Sequence, residues 1–129
     1  MGKVRSYKGR VSLYGGNFVI KVADNIADAF KSVPSYKYEE GDETNVTATF
    51  FLDEEANTIN KRCYYLFFTT KATVADIVHE CVHWKNAIFS FHEIKLDADN
   101  DEAEAYLQDH LVNYVFKKVY PSYVDLYKK

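Results

Sequence analysis

The residues of this chain best placed to do chemistry are two histidines four apart with a glutamate between them, His79-Glu80-Cys81-Val82-His83. On a helix, side chains at i and i+4 project from one face, so both imidazoles can reach one metal ion. Glu80 sits about 100° round from His79, near enough to hold a water beside the metal without ligating it. The H-E-x-x-H pattern on a helix combines two neutral nitrogen ligands suited to zinc with a carboxylate suited to general-base work. Shuffled composition gives the pattern by chance in roughly one chain in a hundred, so its setting must carry part of the weight. The plainer reading is a solvated face of histidine and glutamate.

The setting favours the chemistry. Steps of about 100° from His79 put His83, Asp76, Ala87 and Glu80 on one side of a helix over Thr73–Phe91. Val74, Ile77, Val78, Cys81, Trp84, Ile88 and Phe89 fall on the other, giving an apolar face for a core and a narrow polar face that carries the motif. Ala87, one turn beyond His83, is small and leaves room beside a metal.

A catalytic zinc site usually has three protein ligands and one open position, so one ligand remains to be found. The candidates are the acids that open a second long helix: Asp101, Glu102 and Glu104. Leu107, Leu111, Tyr114 and Val115 give that helix an apolar side, and it should run to about Tyr120, before Pro121. Glu102, Tyr106, Asp109 and Asn113 share one face, which favours Glu102. Glu104 lies about 200° round from Glu102 and should point to solvent or to its own helix start. As helix-capping acids, Glu102 would pair with Asp99 and Glu104 with Asp101. A calcium loop over Asp97–Gln108 fails, because Glu102 stands where the loop needs glycine and Gln108 where it needs glutamate. His92 and His110 read as surface or partly buried histidines.

At 129 residues with 47% hydrophobic content, 11 Tyr and 9 Phe, the chain is long enough for one domain with a single core. The net charge of −3 argues against a nucleic-acid module held by bulk charge. Cys63 and Cys81 read as free core thiols of a reducing compartment. There is no apolar signal core and no run approaching the roughly 20 residues that span a bilayer, so the expectation is a cytoplasmic protein with no membrane association.

Other elements must support the motif helix. Residues 1–10 are polar and basic and read as loosely held. Arg10–Tyr14 and Asn17–Ala23 read as strands around Gly15-Gly16. Asp24 or Asn25 should cap a short helix containing Ile26, Ala29, Phe30 and Val33, stopped by Pro34. A polar loop over Ser35–Thr44 precedes a strand at Asn45–Leu52, and a turn region follows at Asp53–Lys61. Arg62–Thr69, the most apolar run, reads as a central strand buried on both faces.

The run Ile77–His83, followed by Asn100-Asp101-Glu102-Ala103-Glu104-Ala105-Tyr106-Leu107, is similar to a group of small phage-encoded zinc metallopeptidases. More distantly, it resembles the gluzincins and the compact peptidase domain of phage-repressor-cleaving proteins. In the phage group an acid follows Asn-Asp and a tyrosine comes four residues later, matching Glu102 and Tyr106. The resemblance covers Val11–Val119 loosely. It implies an α+β, zincin-like fold: a small, twisted, mainly antiparallel sheet packed on the motif helix, with a second long C-terminal helix giving a glutamate ligand. The implied site is Zn2+ on His79, His83 and Glu102 with Glu80 as the base. The implied activity is hydrolysis of a peptide or protein substrate in a groove between the sheet edge and the motif helix. Gluzincins place an aspartate four residues after the ligand glutamate; here that position is Tyr106. Asp76 and Asp109 are then the candidates to orient the histidines, and Tyr106 could donate to an oxyanion. A second reading is a zincin-like phage accessory or assembly protein whose metal is structural or vestigial, since so short a chain leaves little for cleft walls.

Overall fold

The elements run β1 (Arg5–Arg10), β2 (Asn17–Ala23), α1 (Ile26–Lys31), β3 (Ala48–Leu52), β4 (Cys63–Thr69), α2 (Val74–Phe91) and α3 (Glu102–Val119). They are seen in a computed structural model that describes residues 4–11, 14–33, 47–52, 62–99 and 101–119. The class is α+β: a four-stranded mixed sheet in the order β1-β2-β4-β3, with three helices. The outer pairings are antiparallel, with Arg5 opposite Val22 and Ala48 opposite Phe68. The central pairing of β2 with β4 is parallel, with Asn17 beside Cys63 and Ala23 beside Thr69.

β4 is central and buried on both faces, as its apolar run predicts. Side chains alternate across a strand. Tyr64, Leu66 and Phe68 join the main core with residues of α2 and α3, while Phe67 joins Ala23, Ile26, Ala29 and Phe30 under α1. Asn25 caps α1, its side chain accepting from the Asp28 amide at 3.0 Å.

The first hairpin departs from the sequence expectation. β1 occupies Arg5–Arg10, the stretch expected to be loose, and ends where the first strand was expected to begin. Its basic outer residues hide an alternation in which Tyr7 packs on the core and Gly9 lies under the Phe18 ring. A Cβ at Gly9 would sit 2.5 Å from Phe18 Cζ, so only glycine fits without displacing the ring. The connection is longer than a two-residue turn. Val11 N–H donates to Gly16 O at 2.8 Å, and Tyr14, Gly15 and Gly16 all take positive φ, of 67°, 73° and 93°.

α2 begins with a capping box. The Asp76 amide donates to Thr73 Oγ1 at 3.2 Å, and the Thr73 amide donates to Asp76 Oδ2 at 2.9 Å. Ile77, Cys81, Trp84 and Ile88 are each at most 1% exposed and anchor the helix to the sheet. Burial of each of the larger side chains contributes on the order of 1.5–3 kcal/mol. α3 runs antiparallel to α2 and adds Leu107, Leu111, Val115 and Val119 to the same core. It is tied to α2 by a Lys85–Glu104 ion pair and by Gln108 Nε2 donating to Val78 O at 3.3 Å. Two valines expected in the core are not there: Val74 and Val78 are 50% and 38% exposed. The buried arc is displaced toward Lys85 because α3 covers that flank further along the helix.

Among the described residues no helix is long and apolar enough to cross a membrane. The expected loop at Ser35–Thr44, the turn at Asp53–Lys61 and the stops at Pro34 and Pro121 lie outside the described residues.

Candidate metal centre

The capping box sets where α2 starts, and helical spacing then sets where its side chains point. His79 and His83 are both exposed, one turn apart, with ring centroids 4.9 Å apart and planes at 78°. Their Nε2 atoms face each other at 3.3 Å. Zinc with Zn–N bonds of about 2.0–2.1 Å in tetrahedral geometry needs its ligand nitrogens about 3.3–3.4 Å apart. The two rings therefore already stand at the edge length of a zinc tetrahedron, a separation that also suits a weak hydrogen bond from one imidazole to the other. The Glu80 carboxylate completes a group whose candidate ligand atoms lie within 4.8 Å of one another. The two imidazole nitrogens suit zinc, and the carboxylate lies close enough to serve a water beside it.

Glu80 differs from the histidines in its surroundings. It is 7% exposed, at the border where the polar face of α2 turns under toward the sheet. Burial pushes its carboxyl above the usual carboxylate range; the neighbouring His79 and His83 oppose that rise and Asp76 adds to it. Asp76 is held the other way. The Thr73 backbone amide, with help from the Thr47 hydroxyl, holds it below the usual range against the opposing effect of burial.

The flank on which the group sits is set by β3. Thr47, just before this edge strand, donates from Oγ1 to Asp76 Oδ2 at 3.2 Å. Asp76, Glu80 and His83 fall within about 60° of one another round α2. The group therefore opens on the side of the helix that meets the sheet edge. Nothing in the sequence around Thr47 signals its role, because the bond joins residues far apart in the chain.

α3 lies on a different flank. Lys85, which it engages, is about 200° round from His83. Glu102, expected as third ligand, is the first residue of α3, is exposed, and does not join the His79–Glu80–His83 group. Glu104, expected to point away, instead pairs with the buried Lys85 ammonium. Helical arithmetic puts the two glutamates on different sides of α3, but it could not say which flank of α2 this helix would take. Tyr106 is 69% exposed and Asp109 is exposed, accepting from Asn113 Nδ2 at 3.5 Å. Neither joins the group, and of the two residues proposed to orient the histidines only Asp76 lies near them.

The remaining candidates fall away. Burial pushes the Cys81 thiol up to about 12, which leaves it inert, and neither Cys63 nor Cys81 is in a disulfide. His92 donates from Nε2 to Tyr14 O at 2.8 Å, so it serves the first hairpin. No protein-family model, curated protein or solved structure matches this chain, so any functional reading rests on these residues and their geometry.

Proposed function

We propose that the protein is a zinc-dependent peptidase or amide hydrolase with a zincin-like plan, in which a sheet edge runs beside an H-E-x-x-H helix. The observation that carries this reading is the pair of Nε2 atoms at 3.3 Å with the buried Glu80 carboxylate beside them. His79 and His83 would hold the metal through Nε2, each keeping its proton on Nδ1. Zinc, when bound, supplies a Lewis acid that polarises a scissile carbonyl and lowers the pKa of water. Glu80 takes a proton as general base and delivers it to the leaving amine, and its raised pKa brings it nearer the working range of such a base. α3 supplies no ligand in this scheme. β3, an edge strand with no outer partner among the described residues, offers a place where an extended peptide could add as a strand.

A second reading, a structural or vestigial metal site in an accessory or assembly protein, is favoured by one observation. Among the described residues no third ligand from elsewhere in the chain joins the group. Zinc content and cleavage of a degenerate peptide library, measured together on the wild type and Glu80→Gln, separate the two. One zinc per chain with cleavage by the wild type alone supports the hydrolase. Zinc binding with no cleavage by either protein supports the structural site.

A further inference from the structure

Arg62, immediately before β4, is fully buried, yet its guanidinium has no carboxylate beside it among the described residues. Its central carbon lies 3.4 Å from the Phe91 ring centroid and 4.9 Å from that of Tyr64. The Tyr64 ring in turn lies 6.1 Å from that of Trp84, tilted by 47°, so the four side chains form one cluster. Arg62 meets the Tyr64 hydroxyl, but the other N–H groups of its guanidinium and Trp84 Nε1 are buried with no further hydrogen-bond partner among the described residues.

These groups are nearly all donors. Arginine offers five N–H groups, tryptophan one and tyrosine one, and only the tyrosine oxygen can also accept. With Arg62 donating to Tyr64, donors still far outnumber acceptors. The guanidinium cannot shed its charge, and two aromatic faces engage its plane without filling its N–H edges. Buried donors and a buried cation are costly unless an acceptor of opposite charge meets them.

We propose that Arg62, with the Tyr64 hydroxyl beside it, is a receptor for the carboxylate of a small organic acid. The charge selects the class. One guanidinium is balanced by one carboxylate, whose two oxygens fit its planar fork, whereas a phosphate dianion would leave net negative charge buried. Gly16 packs closely against the pair: a Cβ there would sit 3.2 Å from Arg62 Nη2 and 2.8 Å from Tyr64 Cε2. Phe91, 38% exposed, lies over the guanidinium on the side nearest solvent. Phe91 is eight residues beyond His83, about 12 Å along α2, so the receptor stands apart from the metal group and does not depend on it.

Trp84 is the only tryptophan of the chain, so its fluorescence reports on this site. The test titrates the full chain with sodium acetate against sodium chloride at constant ionic strength, following Trp84 emission and Tm. The variants are Arg62→Met, which replaces the cation with an apolar chain of similar length, and Tyr64→Phe. The expected result is a saturable emission change and a rise in Tm with acetate in the wild type. Affinity should fall several-fold in Tyr64→Phe and at least tenfold in Arg62→Met, while Arg62→Met stays as stable as the wild type in chloride. Inorganic phosphate should bind the wild type at least tenfold more weakly than acetate. The proposal is overturned if the wild type gives no saturable change, if Arg62→Met keeps it, or if phosphate binds as well as acetate. It is equally overturned if Arg62→Met is strongly destabilised in chloride, because Arg62 would then already have its acceptor within the chain.

Discussion

Glu80 sits in a drier setting than the two imidazoles that flank it, and its proposed role follows from that difference. Glu80→Gln keeps the shape of the side chain but cannot accept a proton. Zinc affinity should stay within about threefold of the wild type while hydrolysis falls by at least about a hundredfold. Loss of zinc in this variant would make Glu80 a ligand and reverse the assignment. His83→Ala should weaken zinc by well over tenfold, because it removes one of two imidazole ligands. Glu102→Gln should leave zinc affinity unchanged, since Glu102 stands outside the group. Isothermal titration with zinc checks all three. The i, i+4 arithmetic made His79, Glu80 and His83 legible because they belong to one helix, whose own geometry brings them together. Glu102 was not legible in this way. Its distance from the histidines depends on how two helices pack, and the spacing within either helix does not carry that information.

Two elements hold the motif helix in place, its N-terminal cap and α3. The capping box predicts a pH dependence. Asp76 has a folded-state pKa below its unfolded value. Its stabilising effect is therefore fully present above the ordinary aspartate pKa and is lost as pH falls through the lowered one. Asp76→Ala should cost about 1 kcal/mol at neutral pH, with the gap from wild type closing in acid, as read by urea unfolding at each pH. The contact with α3 rests partly on Lys85 and Glu104, whose side chains are 7% and 25% exposed. Glu104→Gln leaves a buried ammonium without its anion and should cost roughly 2–3 kcal/mol, below the 3–5 of a fully enclosed pair because Glu104 is partly wet. The double variant Lys85→Met with Glu104→Leu should return to within about 1 kcal/mol of wild type, which a double-mutant cycle in urea would show. Most elements were readable from apolar period and turn residues: β4 from its unbroken hydrophobic run, α1 from Asn25 and the spacing of Ile26, Ala29 and Phe30. β1 was not, because Arg5, Lys8 and Arg10 mask an alternation that has only Tyr7 and Gly9 on its inner side. The parallel pairing of β2 with β4 was also hidden, since it depends on a crossover through α1 and β3 and leaves no local signal.

At the scale of the whole molecule, α1 packs on one face of the sheet while α2 and α3 share the core on the other. α3 takes the Lys85 flank of α2, and β3 takes the flank carrying Asp76 and Glu80. This division leaves the histidines exposed beside an edge strand and Glu80 tucked beneath them. The central claim is that His79 and His83 together hold a zinc ion with Glu80 close by as a base. The most direct measurement is an anomalous difference map at the zinc edge from crystals grown with one equivalent of zinc. The expected result is a single strong peak about 2.0–2.1 Å from Nε2 of both His79 and His83, with no α3 carboxylate in contact. A map with no peak between the two rings, or with its peak on other residues, would contradict the claim.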